Sequence, residues 1–460
     1  MSNWKEYTLG DISRNISRRF DFNAYPNVVF INTGDVLNNK FLHCDISNVK
    51  DLPGQAKKAI KKGDILYSEI RPGNGRYLFV DNDLDNYVVS TKFMVIEPNA
   101  NIVLPEFLFL LLISNETTEY FKMIAESRSG TFPQITFDSV SSLSLNIPDK
   151  ETQQKILDII IPLDGKIEIN TQINQTLEQI SQALFKSWFV DFDPVRAKVQ
   201  ALSDGLSLEQ AELAAMQAIS GKTPEELTAL SQTQPERYAE LAETAKAFPC
   251  EMVEVDGVEV PKGWEVKRID EIANIIKGKS YKSSELEKSK TALVTLKSFN
   301  RGGGYRLDGL KEYTGKYKSE QEVFSGELII AYTDVTQAAD VIGKPAMVMS
   351  DSNYQHLVIS LDVGVVRPFN DVYKHFLYCL AMTDSFQAHT KSFCTGTTVL
   401  HLGKDAVPSF EFINPSNELL HVFYKQTSPI FEKINLHIEE NKNLEKVIDL
   451  LLPSLLSGRS

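Results

Sequence analysis

No uninterrupted apolar run reaches the ~18 residues that a membrane-spanning helix needs, and the opening segment MSNWKEYTLGD has no signal-peptide pattern. A cytoplasmic protein without a membrane partner is the expectation. Cysteine is scarce: Cys44, Cys250, Cys379 and Cys394 are scattered without any C-x-x-C spacing, which points to free thiols in a reducing compartment. Metal-ligand spacing is missing too. His375 and Cys379, four apart on an expected helix, with His389, Cys394 and His401 downstream, match no zinc pattern, and core or surface positions are expected for them. There is no phosphate-binding G-x-x-x-x-G-K-[ST] loop; Gly343-Lys344 is followed by Pro345, which lacks the required hydroxyl. Glycine and proline are only moderately used, and apolar content is 42%, so long disorder is not expected. At 460 residues the chain is too long for one core, and two or three domains follow.

What is present is a repeat. Residues 151–191 carry an apolar stripe that returns 267 positions later: Ile156, Leu163, Ile167, Leu177, Ile180, Leu184 and Trp188 superpose on Phe423, Ile430, Ile434, Leu444, Val447, Leu451 and Leu455. Steps of three, four and seven place these side chains on one helix face. Two such helices can bury their stripes against each other as an antiparallel coiled coil. Pro162 falls on Pro429, which predicts a kink or restart near the start of each helix.

The segments before the two helices also correspond. Trp4, Leu9 and Ile12 match Trp264, Ile269 and Ile272. Short runs rich in Val, Ile, Phe and Tyr, broken by Gly, Asn and Asp, predict strands at 27–32, 63–68, 77–80 and 88–97, with counterparts at 292–297, 326–332, 346–349 and 357–367. Helices are expected around 105–113 and 372–382. A small-residue turn follows in each half, then a final strand and the long helix.

The fold class is therefore α+β: two similar α+β domains with a pair of long antiparallel coiled-coil helices between them, an internal repeat with pseudo-two-fold arrangement. The expected boundaries are 1–150 for the first domain, 151–198 for the first helix, 199–261 for an insert without a second copy, 262–415 for the second domain and 416–460 for the second helix. The insert is helical in propensity and bounded by Gly and Pro.

A helix of ~35 residues rises to roughly 50 Å, and major-groove faces on one side of B-DNA recur every ~34 Å. That span suits two contact sites separated by bases left unread. Asn170, Asn174 and Asn441 interrupt the stripe and either fix the register of the pair or mark exposed turns. The net charge of -13 speaks against a nucleic-acid partner until it is located. Residues 203–259 hold twelve carboxylates against Lys222, Arg237 and Lys246, whereas residues 262–318 hold fourteen basic side chains against seven acidic ones. The first half adds Lys57, Lys58, Lys61, Lys62, Arg71 and Arg76. Local basic surface is what phosphate binding requires, although ordinary solvated lysines give the same pattern.

The chain resembles the specificity subunits of type I restriction-modification systems over essentially its whole length. The resemblance rests on the order of domains and helices and on five stretches: Trp4-Lys-Glu-Tyr-Thr-Leu-Gly-Asp-Ile12, Ser129-Gly-Thr-Phe-Pro-Gln-Ile135, Ala183-Leu-Phe-Lys-Ser-Trp-Phe-Val-Asp-Phe192, Pro261-Lys-Gly-Trp-Glu-Val266 and Leu451-Leu-Pro-Ser-Leu-Leu-Ser-Gly458. It implies that each globular domain is a target-recognition domain reading one half of a bipartite site in double-stranded DNA. It also implies that the helices set the spacer and dock two modification (methyltransferase) subunits, which a restriction (translocase and nuclease) subunit joins. S-adenosylmethionine, ATP and Mg are then expected on the partners, with no cofactor and no catalytic residue in this chain. Consistent with that, the Asn-Pro-Pro-aromatic stretch of DNA methyltransferases is absent; Asn414-Pro415-Ser416-Asn417 is not one. The acidic insert departs from the family pattern.

Arg71, Asn74, Arg76 and Tyr77 are the first candidates for DNA contact, since Gly-rich backbone permits close approach and Arg and Asn suit bidentate contacts with guanine and adenine. The turn Ser129-Gly130-Thr131 with Gln134 is the second, suited to phosphate. Corresponding positions in the second half are Thr333, Gln337, Thr395, Gly396 and Thr397. Lys92, Lys279, Lys282, Arg301 and Arg306 are candidate phosphate contacts. Phe185, Trp188, Phe189 and Phe192 are too dense for a two-helix seam, and either pack a core or dock a modification subunit. A coiled-coil scaffold that binds only protein is the alternative function.

Overall fold

The computed structural model describes residues 4–128, 132–255, 257–334, 339–397 and 399–457. The chain divides into two units, residues 1–167 with 442–460, and residues 168–441. The first long helix, Lys150–Phe189, and the second, Asn417–Ser457, each contribute to both units.

In the first unit Lys5–Thr8 pairs antiparallel with Ser144–Ile147, the strand that leads into the first long helix. Two four-stranded sheets lie between these ends. One has the order Ile46–Asn48, Asn27–Ile31, Tyr87–Ser90, Ala56–Ala59; the other Ser13–Asn15, Phe93–Pro98, Ile65–Ser68, Tyr77–Phe79. The run at 88–97 is thus two strands in two sheets. Val88, Val89, Ser90 and Phe93 to Ile96 are all fully buried, so no alternation along the run marks the corner that Thr91 and Lys92 make. Val29, Ile31, Leu66, Val89, Phe93 and Val95 share one core. A second core joins Phe107 and Leu108 of the helix Pro105–Ile113, Phe121 of the helix Asn115–Arg128, Ile156, Leu157 and Ile160, and it is closed by Leu452, Leu455 and Leu456 from the end of the chain.

The second unit repeats this plan strand for strand. Glu265–Arg268 pairs with Glu411–Asn414, and the sheets run Lys311–Glu312, Thr291–Val294, His356–Ile359, Glu322–Val323 and Ala273–Lys277, Val363–Pro368, Leu328–Ala331, Pro345–Met347. The parallel pair, Asn27–Ile31 with Tyr87–Ser90, recurs as Thr291–Val294 with His356–Ile359. The segment expected as one strand at 357–367 is again split in two.

Both long helices run unbroken through Pro162 and Pro429, so the expected restart does not occur. The first helix ends earlier than residue 198. It stops at Phe189, Phe192 takes a left-handed φ of 57°, and Asp193-Pro194 opens a new helix, Asp193–Ser203. A proline in the first turn loses no helical bond, which is why the restart falls there. The insert adds Leu208–Ser220, Pro224–Thr233 and Pro235–Ala247, the first two opened by capping boxes from Ser207 and Thr223, and then the hairpin Met252–Val255 with Val258–Pro261.

Within the second unit the two long helices run antiparallel. Phe185 meets Phe423, Asn174 Oδ1 lies 2.8 Å from His437 Nδ1, and Asn170 Nδ2 donates to Glu440 Oε2 at 2.8 Å. Asn170 is fully buried, so it is a seam residue and not an exposed turn. His375 is held between the rings of Tyr424 and Phe431, at 4.9 and 4.4 Å, with Nδ1 2.8 Å from Thr427 Oγ1. Burial pushes its pKa from 6.5 down to about 4. Because the unfolded imidazole protonates first, stability is full above pH 6.5 and falls as the pH drops toward 4, by about 3 kcal/mol in total. The measurement is the urea midpoint against pH for the natural chain and His375→Gln. The gap between the two should narrow from pH 6.5 to 4; a constant gap would refute the assignment.

Candidate nucleic-acid interface

In the first unit the chain between Ile65–Ser68 and Tyr77–Phe79 folds into a tight loop. Arg71 adopts φ 47°, Pro72–Asn74 form one helical turn, and Gly75 sits at φ 68°. Two stretches far apart in sequence meet here. Ile70 pairs with Gln134, Arg71 N donates to Pro133 O at 3.0 Å, and Ile135 N donates to Glu69 O at 2.9 Å. Glu69 N also donates to Lys92 O at 3.0 Å, which brings the corner between the two sheets to the same place. Arg71, Lys92 and Gln134 thereby form one surface. Ser129, Gly130 and Thr131 lie outside the described residues.

Charge and hydrogen bonding sort the basic residues into those tied down and those still available. Arg76 Nη1 donates to Gly34 O and Val36 O at 2.8 and 2.7 Å. A guanidinium engaged through Nη1 braces the loop. Tyr77 is half-buried against Tyr67 and Phe109, and burial raises its pKa, so its ring belongs to the framework as well. Arg14, Arg18 and Lys61 surround Glu97 and hold its carboxyl down to about 2, with Lys61 the largest contributor. Lys58 is buried with Nζ on Phe93 O. Arg71, Asn74 and Lys92 are exposed. Asn74 lines an open cleft of about 490 Å³ with Asn115, Thr118 and Lys122.

The second unit assembles its candidates in the same way. Thr333–Asp334, Leu400–Leu402 and Cys394–Thr395 form a three-stranded ribbon in which Thr333 and Thr395 both face His401. The Asp334 carboxylate accepts from Val341 N and Ile342 N at 2.7 and 3.1 Å. Thr333 is buried, a correction to its expected contact role, whereas Thr395, Gly396 and Thr397 are exposed. Gly396 has φ 113°, and a Cβ there would lie 2.1 Å from Val399 O, so glycine is required at this turn. Gln337 lies outside the described residues.

Arg301 is exposed, and its Nε is 3.9 Å from Asp340. Arg306 is engaged by Asp308 at 2.9 Å, and the Lys279 ammonium donates to Lys316 O. Lys282 is exposed. The Lys277 ammonium lies 4.6 Å from the centre of the Tyr332 ring, a cation–π contact. Its strand position opposite Gly364, beside Tyr332, is visible only once strands are paired.

Phe185, Trp188, Phe189 and Phe192 are 2%, 0%, 5% and 5% exposed. They pack on Phe248, Trp264, Phe376 and Phe423 at centroid distances of 5.1 to 6.1 Å. Core packing is therefore their role, and the docking reading is corrected: side chains at most 5% exposed cannot form a partner's landing surface.

The profile of the type I restriction modification DNA specificity domain matches residues 1–179 and 261–446, the two repeats just described. The chain belongs to that family. It is 65% identical over 468 residues to the type I restriction enzyme HindI specificity subunit of Haemophilus influenzae, covering 100% of both chains. It is 26% identical to the type I restriction enzyme MjaIX specificity subunit of Methanocaldococcus jannaschii, over 86% of this chain and 77% of that one. A solved type I restriction-modification S subunit from M. genitalium aligns over 99% of this chain and 96% of its own at 14% identity, with a TM-score of 0.49.

The family profile leaves out residues 180–260, which hold the buried aromatic cluster and the acidic insert. Alignment with the Haemophilus specificity subunit runs through that region, so the insert has a counterpart there. Among the described residues no helix is long and apolar enough to cross a membrane, and no cluster of His, Cys, Asp and Glu could hold a metal ion.

Proposed function

We propose that this member of the family is the non-catalytic DNA-reading component of a type I restriction-modification complex, in which each α+β unit reads one half of a bipartite site. The observation that carries the reading is one framework built twice with unlike loops at corresponding places. Arg71, Asn74 and Lys92 stand where the first framework brings its loops together, and Thr395, Gly396, Thr397 and Arg301 are exposed in the second. A constant scaffold with differing exposed polar side chains suits two different half-sites. The long helices set the separation of the half-sites and hold two modification subunits. S-adenosylmethionine, ATP and Mg belong to those and to the restriction subunits, in the cytoplasm.

The test uses the complex assembled with its modification subunits and a library of duplexes. One split sequence should be selected, and inserting about five base pairs between its halves, half a helical turn, should reduce binding to that of a single half-site. The chain alone with S-adenosylmethionine and DNA should transfer no methyl group. Binding that is indifferent to sequence would favour a protein-binding scaffold instead.

A further inference from the structure

In each unit a hairpin tip is bonded to the start of the sheet's outer strand, while the residues at the tip differ. In the first unit Val36–Leu37 and Lys40–Phe41 form a short hairpin with Asn38 and Asn39 at its tip, at φ 44° and 63°. Asn38 N donates to Gly75 O at 2.7 Å and Asn39 N to Tyr77 O at 3.1 Å. Arg76 adds its two bonds to Gly34 and Val36, and Asn39 Oδ1 accepts from Phe79 N at 2.7 Å. In the second unit Phe299 pairs with Tyr305, and Asn300 N donates to Gly304 O at 3.0 Å. The tip between them bonds outward through Gly302 N to Asp340 O at 3.3 Å and Gly304 N to Pro345 O at 2.9 Å.

These are matching places. Tyr77 and Pro345 each open the outer strand of the corresponding sheet, Tyr77–Phe79 and Pro345–Met347, and in both units that strand receives a backbone N–H from a hairpin tip. Three of the five non-glycine residues at positive φ, among those described, are Asn38, Asn39 and Arg71 at this junction; the second unit meets the same demand with Gly302, Gly303 and Gly304. Backbone strain of this kind persists only where surrounding bonds over-determine it, and it gathers at functional places. The side chains the two tips leave exposed differ: Asn38 in one, Arg301 in the other, the latter with 82% of its side chain accessible.

We propose that the hairpin tips are specificity-determining elements, Asn38 contacting an adenine in one half-site and Arg301 a guanine in the other. The inference rests on the DNA-reading role above. The chemistry follows from the groups: a carboxamide matches the N6 and N7 edge of adenine in the major groove, and a guanidinium matches O6 and N7 of guanine. Asn39, whose carboxamide oxygen is already used by Phe79, and Arg76, whose donors hold the hairpin, are positioning residues.

The experiment measures the base preference of the assembled complex, position by position, with randomised duplexes. Arg301→Ala should lower the preference for guanine at one position of one half-site by about 5- to 150-fold and leave the other half unchanged. Asn38→Gly keeps the left-handed backbone at no steric cost and should lower the preference for adenine at one position of the other half to a similar degree. Unchanged urea midpoints would show both variants folded. Equal weakening on every sequence means phosphate contact alone and overturns the assignment, as does a base profile identical to that of the natural complex. A natural complex with no base preference overturns the DNA-reading role together with it.

Discussion

Trp188→Ala should destabilise the second unit by about 3–5 kcal/mol, the range for removing a large aromatic from a closed core. Trp188 has no exposed area, and its ring meets Phe248 edge-on at 5.1 Å and Phe189 and Phe423 at 5.9 and 6.1 Å. Its indole N–H has no acceptor among the described residues, so the loss is one of packing and not of a hydrogen bond. Trp188→Phe should accordingly recover much of the deficit. The same position sits at the junction of the first long helix, the second long helix and the acidic insert, because Phe248 follows the helix Pro235–Ala247 and Phe423 belongs to Asn417–Ser457. Equilibrium urea unfolding with a near-ultraviolet probe measures the effect. A change below about 1 kcal/mol, combined with weaker binding of modification subunits, would reinstate the aromatic cluster as a docking surface.

Ending the chain at Asn441 should damage the first unit, although every residue removed is at the far end of the sequence. Leu452, Leu455 and Leu456 pack on the core that holds Phe107, Leu108, Ile156 and Ile160. Three leucines at about 1.5 kcal/mol each, the lower end for a buried aliphatic side chain because they are only partly covered, amount to roughly 4.5 kcal/mol. Amide exchange should accelerate in Pro105–Ile113 and Asn115–Arg128, the helices of that core, more than in the sheet pairs of the second unit. Equal acceleration in both units, or none in the first, would contradict the shared core.

The architecture was legible in the sequence because a repeat leaves its mark at every level: the stripe of Ile156 to Trp188 returns as Phe423 to Leu455, and the strand-forming runs return in order. Less legible were features that depend on pairing. Nothing local relates Ile70 to Gln134 or Thr333 to Thr395, because backbone bonds between distant strands carry no residue signature. Nor could Arg76 be told from Arg71: both are arginines in one glycine-rich loop, and only the carbonyls of Gly34 and Val36 separate a strut from an available side chain. The corner at Thr91-Lys92 was hidden because the strands on both sides are buried on both faces. The Asn38-Asn39 pair was the one signal present and overlooked, since adjacent asparagines are suited to a turn at positive φ.

The tail that completes the first core also sets a clock. Synthesis proceeds from the N-terminus, so the first unit has all of its strands long before the ribosome reaches Leu452. At 5–20 residues per second, the stretch from residue 168 to residue 452 takes roughly 15–60 s to translate. During that interval Ile156, Leu157 and Ile160 lack the leucines that later cover them. The nascent chain thus carries an open apolar seam for most of its own synthesis.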